Sequence, residues 1–187
     1  MGQRNRCFLG VKLKPVIEYS DRLKKLMTGR NIKISVGNPT NYHITLHFFG
    51  DITKEQIEIV KENLRSIKFQ PFRLKTRDTG SFPNNLPKRT KILYLGFEDG
   101  VDELLDLQKN VVSRIKKNFS IPTRPFRSHL TIGRIKFGNE VEIVTNEWLG
   151  SKFKSTEFDI SEVLLIQSNL TSTGPNYTTL EKFSADG

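Results

Sequence analysis

Polar and apolar residues alternate through 42–49 (YHITLHFF), so that a predicted strand puts His43, Thr45 and His47 on one face and Ile44, Leu46 and Phe48 on the other. Residues 6–13 (RCFLGVKL) predict an opening strand, and 32–36 (IKISV) a short one before a Gly-Asn-Pro turn at 37–39. Between them, 16–28 sets Val16, Leu23 and Met27 on one helical face. Thr53 with Gln56 makes a capping box that opens a helix at 54–67, where Ile57, Val60, Leu64 and Ile67 recur at helical spacing. The second half repeats this rhythm. A strand near 69–77 leads through the turn-rich DTGSFPNNLPKRT to a strand at 91–97. A helix over 101–118 follows, with Val101, Leu104, Leu105, Val111, Val112 and Ile115 on its apolar side. A second polar-faced strand covers 128–136, a helix falls within 139–149, and strands at 155–167 and 177–183 complete the series. About seven strands and four helices in mixed order, with no Pro/Ser-rich linker, predict an α+β single domain over residues 1–187.

The segments HITLHFFG and HLTIGRIKFG begin 86 residues apart and suggest a pseudo-repeat, two lobes that each donate one histidine strand to a shared cleft. With 187 residues, 36% of them hydrophobic, and 13 Phe, the chain can build a proper core and does not read as disordered. The lone Cys7 excludes an internal disulfide and suits a reducing cytoplasm. The opening MGQRNRCFLGVKLKP is too polar for a signal peptide, Arg6 stands where a myristoylation signal needs Ser or Thr, and no apolar run reaches membrane-spanning length. A cytoplasmic protein without a membrane partner is expected. Net charge sharpens this picture. At +10 it favours polyanions, RNA or DNA first, and the basic residues are spread along the chain rather than gathered in a tail.

Only three histidines occur, and two, His43 and His129, are followed two positions later by threonine. In a strand, i and i+2 share a face, so each His-x-Thr points an imidazole and a hydroxyl the same way. A phosphate held between two such pairs meets two hydroxyl donors and two rings whose reference pKa is near 6.5, one able to take a proton and the other to give one. That suffices to break a phosphoester without metal, provided the phosphate charge is stabilised. The competing readings are two structural strand histidines, or a three-histidine metal site completed by His47. No companion carboxylate is evident for a metal, so none is expected. Gly-rich phosphate loops and Gly-x-Ser-x-Gly elbows are absent from the sequence.

These segments resemble the two-histidine (2H) phosphoesterases, and among them the bacterial and archaeal RNA 2′,3′-cyclic phosphodiesterases first named 2′-5′ RNA ligases. The resemblance runs in order through RCFLGVKL, HITLHFFG, GSFPNNLPKRTKILYLG, PFRSHLTIGRIK and LIQSNLTSTGPNYTTL. It implies a bilobal fold of two antiparallel-rich sheets with outer helices and a pseudo-twofold about a basic cleft. It also implies cofactor-free, metal-free hydrolysis of RNA 2′,3′-cyclic phosphate ends to a 2′-phosphomonoester. His43 would be the proton donor, His129 the proton acceptor, and Thr45, Thr131 and Arg134 would bind the substrate. The sequence departs from the family where Ser128 replaces the usual proline before the second histidine. Strict alternation would also turn Arg134, five residues after His129, away from the cleft unless the strand bulges near Gly133. Arg127, two before His129, faces the site by the simple rule. Phe82, Phe126 and Tyr177 are candidates to stack on a base, with a core role as the alternative for Phe126 and Tyr177.

Two other functions fit the same residues. One is a 2′-5′ ligase joining RNA ends, tRNA halves for example, with a 5′-hydroxyl in place of water. The other is a non-catalytic RNA-binding module. The expected partners are RNA with cyclic-phosphate ends and tRNA fragments, and the expected oligomeric state is a monomer.

Overall fold

In the computed structural model, residues 4–171 and 174–186 are described. The elements run β1 (Asn5–Lys12), α1 (Ile17–Met27), β2 (Ile32–Val36), β3 (His43–Ile52), α2 (Lys54–Leu64), β4 (Phe72–Phe82), β5 (Ile92–Asp99) and α3 (Val101–Ile115). They continue with β6 (Leu130–Gly138), α4 (Val141–Leu149), β7 (Glu157–Ile160), β8 (Glu162–Thr171) and β9 (Gly174–Ser184). The strands form two sheets, β3-β1-β8-β9 and β2-β6-β5-β4-β7, and every strand pair is antiparallel. This is the expected α+β architecture. The strand orders β3-β1-β8-β9 and β6-β5-β4-β7 run in parallel, each beginning with a histidine strand; β3 and β6 lie against each other, with β2 added outside β6.

Local signals explain most of the helices. The capping box at α2 forms in full: Thr53 N–H donates to Gln56 Oε1 at 3.0 Å, and Gln56 N–H donates to Thr53 Oγ1 at 3.3 Å. The apolar stripes of α1, α2, α3 and α4, including Leu23, Val60, Leu64, Leu104, Val111 and Trp148, are buried in one continuous core with the inner faces of both sheets. Each such side chain contributes about 1.5–3 kcal/mol when fully buried.

Three boundaries differ from expectation. The segment 155–167 is two strands rather than one, because the chain leaves the second sheet, where β7 pairs with β4, and joins the first, where β8 pairs with β1, with the break at Ser161. β4 runs on to Phe82 through Thr79, Gly80 and Ser81, since a long hairpin with β5 supplies hydrogen bonds that outweigh their turn preference. The second histidine strand starts at Leu130, leaving His129 at the end of an irregular segment instead of inside a strand from 128.

Candidate active site

Both histidine strands break the two-residue alternation at the same place. Opposite β1, Gly10 pairs with Thr45 and Leu9 with His47, so Leu46 is an extra residue in β3. Opposite β5, Tyr94 pairs with Thr131 and Leu93 with Gly133, so Ile132 is an extra residue in β6. A bulge of this kind puts the extra residue and the next one on the same side of the sheet and reverses the facing of everything after it. Four consequences follow.

Thr45 and Thr131 keep the facing of His43 and His129, as predicted. Leu46 and Ile132 are buried in the core. His47 turns by register toward the side of Leu9, yet it sits at the cleft edge, where it lines the same cavity as Thr45 and His129. It is 4% exposed and packs edge-on against Phe49 at 4.7 Å. The bulge therefore separates His47 from the face that His43 and Thr45 share. No group of three or more His, Cys, Asp or Glu suited to a metal is found among the described residues. Finally, Arg134 pairs with Ile92, whose strand neighbour Tyr94 pairs with Thr131, so the bulge brings Arg134 onto the cleft side. Its charge acts on His43, His129 and Tyr177. Phe48, five residues after His43 and past the bulge in β3, stands at the position in its strand that Arg134 holds in β6. It is exposed, with the Arg6 guanidinium 4.7 Å from its ring centre.

The two imidazoles are held alike. Nδ1 of His43 lies 2.7 Å from the carbonyl of Asn41, and Nδ1 of His129 lies 2.8 Å from that of Arg127. A carbonyl can only accept, so each Nδ1 carries the proton and each Nε2 is left for chemistry. Aromatic walls fix the rings: Phe8 at 4.7 Å and Tyr177 at 5.2 Å from His43, and Phe82 at 5.1 Å and Tyr94 at 5.5 Å from His129. Phe8 and Tyr94 were not legible as site residues, because each sits in an apolar run that reads as core. The signal that could have found them is register, since they lie on the strands paired with the two histidine strands. Of the suggested base-stacking residues, Phe82 and Tyr177 touch the histidines, whereas Phe126 packs against the core while lining a cavity next to His129.

Burial pushes both histidines below their usual pKa. The Arg134 charge adds to this at both rings, and His129 adds to it at His43, while the carbonyl bonds oppose it. Burial alone lowers His47. A buried histidine that resists protonation makes the folded protein bind fewer protons than the unfolded chain below about pH 6.5, so stability falls as pH drops through that window. The slope is at most about 1.4 kcal/mol per pH unit for each such group. His47→Leu should flatten the loss of stability between pH 7 and pH 5 in urea melts. An unchanged slope would show that His47 titrates normally.

Cys7 is buried and free, and burial raises its thiol to about 11, which leaves it unreactive. No helix among the described residues is long and apolar enough to cross a membrane.

Two sheets that each present a His-x-Thr strand to one cleft define a two-histidine phosphoesterase. Comparison with known proteins agrees. The chain belongs to the family described as LigT like Phosphoesterase, whose model matches residues 12–92. The RNA 2′,3′-cyclic phosphodiesterase of Aquifex aeolicus (strain VF5) is 38% identical over 194 residues, covering 97% of this chain and 98% of that protein. The RNA 2′,3′-cyclic phosphodiesterase of Archaeoglobus fulgidus is 33% identical over 92% of this chain and 91% of its own. Among solved structures, E. coli LigT complexed with 3′-AMP superposes with a TM-score of 0.73 at 18% identity, over 98% of this chain and 99% of that one. The TT0787 protein of Thermus thermophilus gives 0.71 at 23% identity, over 96% and 97%. At these identities the likeness speaks for the fold.

Proposed function

We propose that the protein hydrolyses RNA 2′,3′-cyclic phosphate ends to 2′-phosphomonoesters, with His43 protonating the leaving 3′ oxygen and His129 taking the proton of the attacking water. The observation that carries this reading is the matched presentation of two Nε2 atoms by Nδ1–carbonyl bonds of 2.7 and 2.8 Å. A neutral ring so held accepts a proton at Nε2, and a protonated one donates from it, so the same mount serves either role. Thr45 and Thr131 offer hydroxyls to the nonbridging oxygens, and Arg134 stabilises the charge that builds on them. No metal or cofactor is required by these steps.

We place residues 1–187 in one domain whose two lobes each supply half of the site, acting as a cytoplasmic monomer on RNA ends, tRNA fragments included. The +10 charge supports RNA as the partner. The test is incubation of an RNA carrying a 2′,3′-cyclic phosphate with excess EDTA, followed by identification of the new end. A 2′-phosphate is expected. A 3′-phosphate, or a requirement for metal, would overturn the mechanism. Adding RNA with a 5′-hydroxyl in the same experiment detects the ligase direction as a longer product.

A glycine sets the wall behind His129. A Cβ on Gly80 would lie 2.3 Å from Tyr94 Cζ, so only glycine lets the Tyr94 ring lie across β4 and stack on Phe82 at 4.4 Å. Trp148 Nε1–H donates to the Gly80 carbonyl at 3.2 Å and fixes that backbone. Gly80→Ala should displace Tyr94 and lower kcat roughly 10–100-fold, given that small misplacements of catalytic groups cost this much. In a Tyr94→Ala background the same substitution should add little. Full additivity in that double-mutant cycle would separate Gly80 from His129.

A further inference from the structure

A cavity of about 720 Å³ opens beside the paired histidines, and it is not symmetric: His129, His47 and Thr45 line it, together with Lys91, Arg124 and Arg127, whereas His43 does not. Its size is within the range of about 300–1,000 Å³ typical of small-ligand sites. Three of its side chains are cationic, and among the described residues none of the three has a carboxylate partner. Ion pairs among the described residues engage ten of the 30 lysines and arginines, so what marks these three is their convergence on one cavity. One of the three is also held in place. With its oxygen turned toward Arg127, the Asn84 amide accepts from Arg127 Nη1 at 3.1 Å and donates to the Ser81 carbonyl at 2.7 Å. The guanidinium lies 5.9 Å from the centre of the Phe82 ring. Meanwhile the backbone carbonyl of Arg127 holds His129 Nδ1.

We infer that this cavity is a second phosphate subsite, which takes a phosphodiester of an RNA backbone next to the cyclic phosphate being cleaved. The inference rests on the proposed function for the identity of the reacting group. A guanidinium held against an aromatic face has little freedom left to lose, and its donor fork matches two phosphate oxygens. Cations without a carboxylate partner gain most from an anion, and RNA carries one phosphate per nucleotide beyond the reacting one. A nucleoside cyclic monophosphate has no such second phosphate, so the subsite separates oligonucleotides from mononucleotides. The phosphodiester can come from the nucleotide preceding the cyclic end, or from a second strand on the side from which His129 activates the nucleophile.

The test compares kcat/KM for a dinucleotide and a mononucleotide, each ending in a 2′,3′-cyclic phosphate, in wild type, Arg127→Ala and Lys91→Ala. A general loss of folding or catalysis moves both substrates alike, so the ratio isolates the subsite. A wild-type preference of tenfold or more for the dinucleotide that collapses in Arg127→Ala assigns the subsite to the preceding nucleotide. If the wild-type ratio is near one, a 5′-hydroxyl oligonucleotide should instead inhibit mononucleotide turnover, about tenfold more weakly in Arg127→Ala; that result assigns the subsite to a second strand. No length preference and no such inhibition, or a ratio and inhibition unchanged in the variants, overturns the inference. A wild type that turns over neither substrate overturns the cyclic-phosphate reading instead. The subsite is then decided by binding of a 3′-phosphorylated dinucleotide, whose affinity should drop about tenfold in Arg127→Ala if it exists and stay unchanged if it does not.

Discussion

His43→Ala and His129→Ala should each lower hydrolysis of an RNA 2′,3′-cyclic phosphate by about 10²–10⁴-fold, the usual contribution of a positioned acid or base. The double variant should fall little further, because acid and base act on one transition state and their losses do not add. Folding should survive, since both side chains are only half-buried and each gives up a single hydrogen bond to a backbone carbonyl. The pH profile gives a signed companion result. In the free protein burial and Arg134 hold both rings below their usual pKa, so the base stays neutral down to below pH 6.5 and the acid is scarce at neutral pH. The maximum of kcat/KM, which reports the free enzyme, should therefore lie on the acid side of 6.5. A bound anion favours protonated rings, so the maximum of kcat should lie at higher pH. A kcat/KM maximum above pH 7, or histidine variants that retain turnover, would remove the paired-histidine mechanism.

Arg134→Ala should cost about 10²–10³ in kcat/KM, the range observed when one group stabilising transition-state charge is removed. The expectation follows from the bulge at Ile132, since without it Arg134 would project to the other side of the sheet. Arg134→Lys should recover only part of the loss, because an ammonium supplies charge but not the planar donor fork. The contrast with Arg127 is diagnostic. Loss at Arg134 should strike mononucleotide and dinucleotide substrates equally, as expected of a group at the reacting phosphate. Activity of Arg134→Ala within twofold of wild type would place the guanidinium outside the transition state, despite its charge reaching both imidazoles.

Much of this protein could be read before its structure was known. Short-range chemistry carried the elements: the Thr53–Gln56 capping box opened α2 where expected, and the apolar stripe of α3 was buried as its spacing required. The His-x-Thr pattern at 43–45 and 129–131 was legible because two adjacent strand positions of equal facing need nothing beyond the pleat. Identity of the chemistry was legible too, since five ordered segments pointed to one family.

What the sequence could not determine depends on pairing between distant strands. Strict alternation faced His47 with His43 and turned Arg134 away unless the strand bulged near Gly133, and one extra residue in each strand, Leu46 in β3 and Ile132 in β6, reverses both facings. A bulge is a property of two strands in register, here β3 with β1 and β6 with β5; Gly133 permitted one in β6, and nothing in β3 announced its own. Tyr94 and Phe8 likewise became site residues only when pairing laid them beside the histidines. The change of sheet between β7 and β8 and the Asn84 hold on Arg127 have the same origin. Local composition fixed which groups were available for catalysis, and long-range register decided which of them face the cleft, because a shift of one residue turns every later side chain to the opposite side of the sheet.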